Sequence, residues 1–298
     1  MEVIKKWRLP LNKMVGLVLT LTVALLATNG QSETAVWQVE KDGNRMFLGG
    51  TLHLLTVDDF PLPEAFDQAY AQASTIYFET DIGAMNSQEF MSKSMAAMSY
   101  SDGRTLQSVL EPDTYRQLSK FLAGKGMPVA MLNGFTAGGV SLTVTILELQ
   151  SLGYTNVGVD RHYYTKASSD GKTLGFFETP DEQLAFIAEL GEGIEDEIMR
   201  YTLADIARLP ELFDLMKTQW RTGDMDALYS SMIVDMKEQF PEAYASLFLN
   251  RNNAWMPAVE AMAATEEVEF VLVGAAHMAG PEGLIGQLRA RGYNVTQL

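Results

Sequence analysis

Two short apolar runs near opposite ends of the chain constrain its fold more than any other feature. Met46-Phe47-Leu48-Gly49 runs into Gly50-Thr51-Leu52-His53, and Phe270-Val271-Leu272-Val273 runs into Gly274-Ala275-Ala276-His277. Each run is too short for a buried helix, is rich in β-branched or aromatic residues, and stops at glycine, which reads as a buried strand. A helix pattern follows each: Pro63–Ala73 leads to a strand at Thr75–Glu79, and Glu282–Arg291 to a strand at Asn294–Leu298. Both ends therefore spell strand, Gly-x-x-His, helix, strand. Crossovers of this kind make parallel strands, and two copies pair naturally about a pseudo-twofold axis.

The two motif strands are expected over Arg45–Gly49 and Glu267–Val273, and two further strands at Val36–Val39 and Thr173–Glu178. The intervening chain reads as helical. Met91, Met95 and Met98 share one helix face, and 112–123 and 136–152 are helices with Gly124 and Gly153 beyond their ends. Thr179-Pro180-Asp181-Glu182 spells a helix start with a capping box, and the helices that follow break near Pro210, Gly223 and Pro241. The expected fold class is α/β: a small central sheet of pseudo-twofold units surrounded by many helices. No linker divides residues 31–298, which are read as a single domain with helical insertions.

The first 30 residues read as an export signal. Lys5, Lys6, Arg8 and Lys13 precede a 14-residue apolar stretch, Met14–Ala27, shorter than the roughly 20 residues that span a bilayer. The expectation is a periplasmic or secreted protein with no stable membrane insertion after cleavage; an uncleaved anchor is the alternative. The net charge is −16 and the segment removed is basic, so the mature surface is more acidic still. That balance disfavours nucleic acid and anionic lipid. With no cysteine, disulfides, thiolate metal sites and a cysteine nucleophile are excluded. A homodimer is compatible with the sequence, which does not require one.

Imidazole chemistry has three addresses, His53, His162 and His277. In open α/β sheets ligands gather at the carboxyl ends of strands, where His53, Glu79, Glu178 and His277 all fall. Two imidazoles and a carboxylate form an ordinary set for a divalent ion, and a further carboxylate can serve as base. The plainer reading has the histidines capping carbonyls and Glu79 paired with an arginine. His162 is expected to pack on a helix. Asn250-Arg251-Asn252-Asn253-Ala254-Trp255 opens a helix before the last Gly-x-x-His strand. Arg251 there can pair with a site carboxylate or hold an oxyanion, and Trp255 reads as core. The 17 methionines read mainly as core filler, with a flexible peptide groove as the alternative. HExxH, Gly-x-Ser-x-Gly, Walker and dinucleotide motifs are absent.

Leu48–His53, Phe78-Glu79-Thr80-Asp81, Gly158-Val159-Asp160, Gly175–Pro180 with Gln183, Trp220–Asp224, Arg251-Asn252 with Trp255, and Val273–His277 together resemble the TraB/GumN family, which includes the Tiki metalloproteases. The resemblance implies an α/β fold with pseudo-twofold halves, similar to haem-binding ChaN proteins and erythromycin esterases. It further implies a metal set of His53, Glu79 and His277, with manganese or cobalt favoured and zinc possible. Glu178 takes a base or outer role and Arg251 a stabilising one. The expected function is an exported metal-dependent hydrolase, a peptidase using a metal-activated water on a peptide or protein substrate. The alternatives are a haem or metal carrier using a tyrosine such as Tyr163, and a regulator that sequesters peptides uncut.

Overall fold

The computed structural model describes residues 34–298; the expected export signal lies outside them. Six strands form one sheet: β1 (Val36–Lys41), β2 (Asn44–Thr51), β3 (Thr75–Phe78), β4 (Thr173–Phe176), β5 (Glu269–Gly274) and β6 (Asn294–Gln297), in the order β4-β3-β5-β2-β1-β6. All six lie where the sequence pattern places them. β5 pairs in parallel with both β2 and β3, and β3 in parallel with β4. Phe270–Val273 is buried throughout, as expected of a central parallel strand covered on both faces.

The two Gly-x-x-His units meet in the middle of this sheet. Gly50 pairs with Val273 and Thr51 with Gly274, so both motifs leave the sheet at the same end, one residue out of step. Beyond this pair the echo is interrupted. β3 returns directly beside β5, whereas β6 is separated from β2 by β1, which is antiparallel to both its neighbours. The cause is local. Asp42 and Gly43 both take positive φ, 54° and 88°, the two-residue turn that closes a tight hairpin, so β1 folds back onto β2 and takes the place beside it.

Strands β3 and β4 stop at Phe78 and Phe176 rather than at the glutamates expected to close them. Pairing persists past the ends, because Phe177 N–H donates to Phe78 O at 3.2 Å and Glu178 N–H to Glu79 O at 2.9 Å. Both carboxylates are thus carried side by side just above the sheet. The capping box forms as read: Thr179 accepts from Glu182 N–H, and the Glu182 carboxylate accepts from Thr179 N–H. Gly223, at φ 63°, ends the helix Leu209–Thr222, and Pro241 opens the short helix Pro241–Tyr244. The methionine face departs from the expectation of core filler. Helix Gln88–Ala97 buries none of its residues, and Met91 and Met95 are 53% and 55% exposed.

Two apolar cores result. One wraps the sheet with Phe47, Phe66, Phe78, Trp220, Trp255 and Phe270; the other joins helices through Leu106, Leu118, Leu122, Val140, Val144 and Met199. Among the described residues no helix is long and apolar enough to cross a membrane.

Candidate active site

His277 sits in the short helix Ala275–Met278 immediately after β5, buried at 3% exposure. Its Nδ1 lies 2.7 Å from Asn252 Oδ1. The Asn252 amide nitrogen donates to the carbonyls of His277 and Glu282, which fixes the amide orientation and makes Oδ1 the acceptor. His277 therefore carries its proton on Nδ1, leaving a lone pair on Nε2 that accepts from Arg251 Nη1 at 3.1 Å. Burial pushes the imidazole down to about 3, with Glu79 opposing and Arg251 and His53 reinforcing. The ring is neutral at any ordinary pH.

His53 follows β2 and is open to solvent, its side chain 60% exposed. Its Nδ1 contacts Asp160 Oδ2 at 3.0 Å, and this carboxylate raises His53 above the usual imidazole range. The contact depends on Gly158. A Cβ there would collide with the carbonyls of Leu52 and His53. Without one, the helix Val159–Asp170 docks on that segment, Val159 N–H donating to Leu52 O at 3.0 Å. Both site histidines thus have Nδ1 held by a side-chain oxygen.

Glu79 is buried at 7% exposure. Its Oε1 accepts from Gly274 N–H at 2.6 Å; Oε2 accepts from Arg251 Nη2 at 2.6 Å and Gln183 Nε2 at 3.2 Å. Burial pushes the carboxyl up, but His277, Arg251, His53 and the Gly274 amide outweigh it and hold it down to about 2. His277 Nε2 is 3.9 Å from Glu79 Oε1. Gly274 marks where the groups converge: a Cβ built on it would lie 3.2 Å from Glu79 Oε1, 3.6 Å from His277 Cδ2 and 3.8 Å from His53 Nε2.

Arg251 binds the cluster together. Nε and Nη2 each donate to Glu178 at 2.8 Å, Nη2 also to Glu79, and Nη1 to His277 Nε2 and to Leu247 O at 3.2 Å. All five N–H groups of the guanidinium are used. Glu178 takes this fork on both oxygens and a third bond from Trp255 Nε1 at 2.9 Å. Arg251 flanked by Glu79 and Glu178 leaves one net negative charge in a buried pocket. The ion pair that the plainer reading assigned to Glu79 is therefore present, beside the histidines.

A cavity of about 450 Å³ opens on His53, Glu79, Arg251 and His277; Glu178 faces a separate one of similar size with Trp255, Phe177 and Phe186. Among the described residues no three histidine, aspartate or glutamate side chains stand close enough to hold a metal ion as they are placed. His162 packs as expected against Phe60 and Tyr163, and burial lowers it. Tyr163 does not reach the site: it is fully buried, stacks on Phe66 and bonds Asp67, which removes it as a haem ligand. Reading the residues alone missed Asn252, Asp160 and Gln183 as supports and took Trp255 for core. Trp255 is core, yet it also bonds Glu178 and lies 4.5 Å from the His277 ring and 4.8 Å from Arg251. The only sequence signal for these partners was their place in the motifs shared with the family.

The profile of the TraB/PrgY/gumN family matches residues 35–297. No curated protein and no solved structure matches the chain.

Proposed function

The chain belongs to the TraB/PrgY/gumN family, and from that premise we propose that it is a divalent-metal-dependent hydrolase acting on peptide bonds. One observation carries the reading. Two histidines from paired strand ends have Nδ1 tied to Asp160 and Asn252 and meet beside an ionised, buried carboxylate. Outer partners of this kind orient metal-binding histidines and fix their tautomers.

The donors suit an ion of this class. His53 and His277 through Nε2, with Glu79, are the residues that would hold it, and the buried surplus of negative charge favours a cation. Manganese, cobalt or zinc bound there would supply a Lewis acid for water and for the scissile carbonyl. Arg251 Nη1 donates to the same Nε2 lone pair that would hold the ion, so binding there would exchange that hydrogen bond. Arg251 Nη1–H would then be a donor for a substrate oxygen on which negative charge develops. Glu178 is assigned to holding Arg251 rather than to moving a proton, because both its oxygens are engaged and it faces away from the shared cavity. Glu79 is the carboxylate beside the reacting groups. Export before action is part of the same proposal and rests on the leader in residues 1–30.

The test strips the protein with chelator, restores manganese, cobalt, zinc or buffer, and reads cleavage of a mixed peptide pool by mass spectrometry. Wild type and His277→Ala run together. Metal-dependent products that vanish in the variant are expected. Activity retained in His277→Ala, or unaffected by chelation, would sink the assignment.

A further inference from the structure

The cavity over the site has a wall that catalysis leaves unexplained. Beyond the four site residues it is lined by Met216, Met232, Ile233, Met236, Leu247 and Phe248, among other apolar groups. Two π-helical turns build much of it: Tyr229–Ile233 supplies Met232 and Ile233, and Ala245–Leu249 supplies Leu247 and Phe248. In each, the next amide bonds five residues back, Val234 to Tyr229 and Asn250 to Ala245. Single π turns are rare and frequently found at functional sites. Two flanking one cavity is an observation independent of its chemistry.

The wall is also keyed to the polar floor. Leu247 O accepts from Arg251 Nη1 at 3.2 Å, and the Phe248 ring lies 5.2 Å from His277. An occupant of the apolar part thus reaches the reacting groups. Three methionines give the wall unbranched, polarisable side chains that reshape around differing apolar groups. At about 450 Å³ it has the size of a small-ligand pocket.

Resting on the hydrolase reading, we propose that this cavity takes bulky apolar side chains of a peptide (leucine, methionine or phenylalanine in class) next to the bond held over His53, Glu79 and His277. The substrates are then apolar peptide segments. Burying one such side chain supports a ten- to hundredfold preference over a small polar one.

The experiment uses two fluorescein-labelled hexapeptides, Gly-Gly-Leu-Phe-Gly-Gly and Gly-Gly-Ser-Ser-Gly-Gly. Their affinities for the purified chain are read by fluorescence anisotropy in the presence of chelator, so that binding is scored without cleavage. Wild type should bind the Leu-Phe peptide at least tenfold more tightly. Met232→Lys and Met232→Trp, one charging and one filling the wall, should both lose that preference, while Met91→Lys, exposed and outside the cavity lining, keeps it. Circular dichroism checks each fold, and the two variants guard against one failing to fold. Equal affinities in wild type, a preference that survives both Met232 variants, or displacement of the peptide by haemin with a Soret band would overturn the proposal. Cleavage is read separately with manganese restored. Tight selective binding without products would defeat the hydrolase reading and leave the pocket standing; equal binding with cleavage of both peptides would do the reverse.

Discussion

Asn252 shows how one amide decides what its neighbour can do. Because its nitrogen serves two carbonyls, its oxygen receives the His277 Nδ1 proton and Nε2 is left with a lone pair. Asn252→Ala removes that constraint, and metal affinity should fall about ten- to hundredfold, measured by titration calorimetry on folded protein. Glu269, at the opposite end of β5, offers a prediction away from the site. It is 7% exposed, its Oε2 has no partner, and burial, helped by Glu267, pushes its carboxyl up to about 7. A carboxyl whose folded pKa exceeds its unfolded one binds a proton more tightly when folded. Its contribution is full below about 4.5 and is lost as pH rises through about 7. Urea titrations at pH 4.5 and 8 should show Glu269→Gln flattening this decline, stabilising the protein at pH 8 by on the order of 2 kcal/mol.

At the scale of elements, the sequence marked all six strands, five as short runs rich in apolar, β-branched or aromatic residues and Asn294–Gln297 by its place after a helix pattern. It also marked His53, Glu79, Glu178, Arg251 and His277 as neighbours, because four of them follow strand ends and strand ends converge. It could not order the sheet: the place of β1 depends on a hairpin turn winning the edge beside β2, which apolar pattern alone does not weigh. Nor could it tell that Glu178 spends both oxygens on Arg251 and Trp255, since hydrogen-bond saturation is a property of packed side chains. The methionine helix misled for a related reason: periodicity reports a shared face, not what covers it. Gly274 tests the strand-end geometry directly. Its φ is −49°, so alanine brings no backbone strain, but its Cβ would press within 3.2 Å of Glu79 Oε1. Gly274→Ala should keep its thermal midpoint within a few degrees and lose tenfold or more in turnover, as small displacements of reacting groups do.

The described chain is one compact unit holding two apolar cores, and only the one around the sheet carries the site. The helical core draws on 106–144 and 199–209, with the sheet's central pair outside it. Separate cores open separately when each holds its own contacts. Native-state hydrogen exchange should therefore show amides in helices Pro112–Gly124 and Ala137–Ser151 exchanging at lower free energy than those of β2 and β5. Uniform exchange across both sets would show a single cooperative unit instead.

The full engagement of Arg251 has a kinetic meaning. With every guanidinium hydrogen already committed, a substrate oxygen that takes a bond from Arg251 must first displace one that exists. Arrival is then an exchange reaction with its own barrier rather than a simple collision.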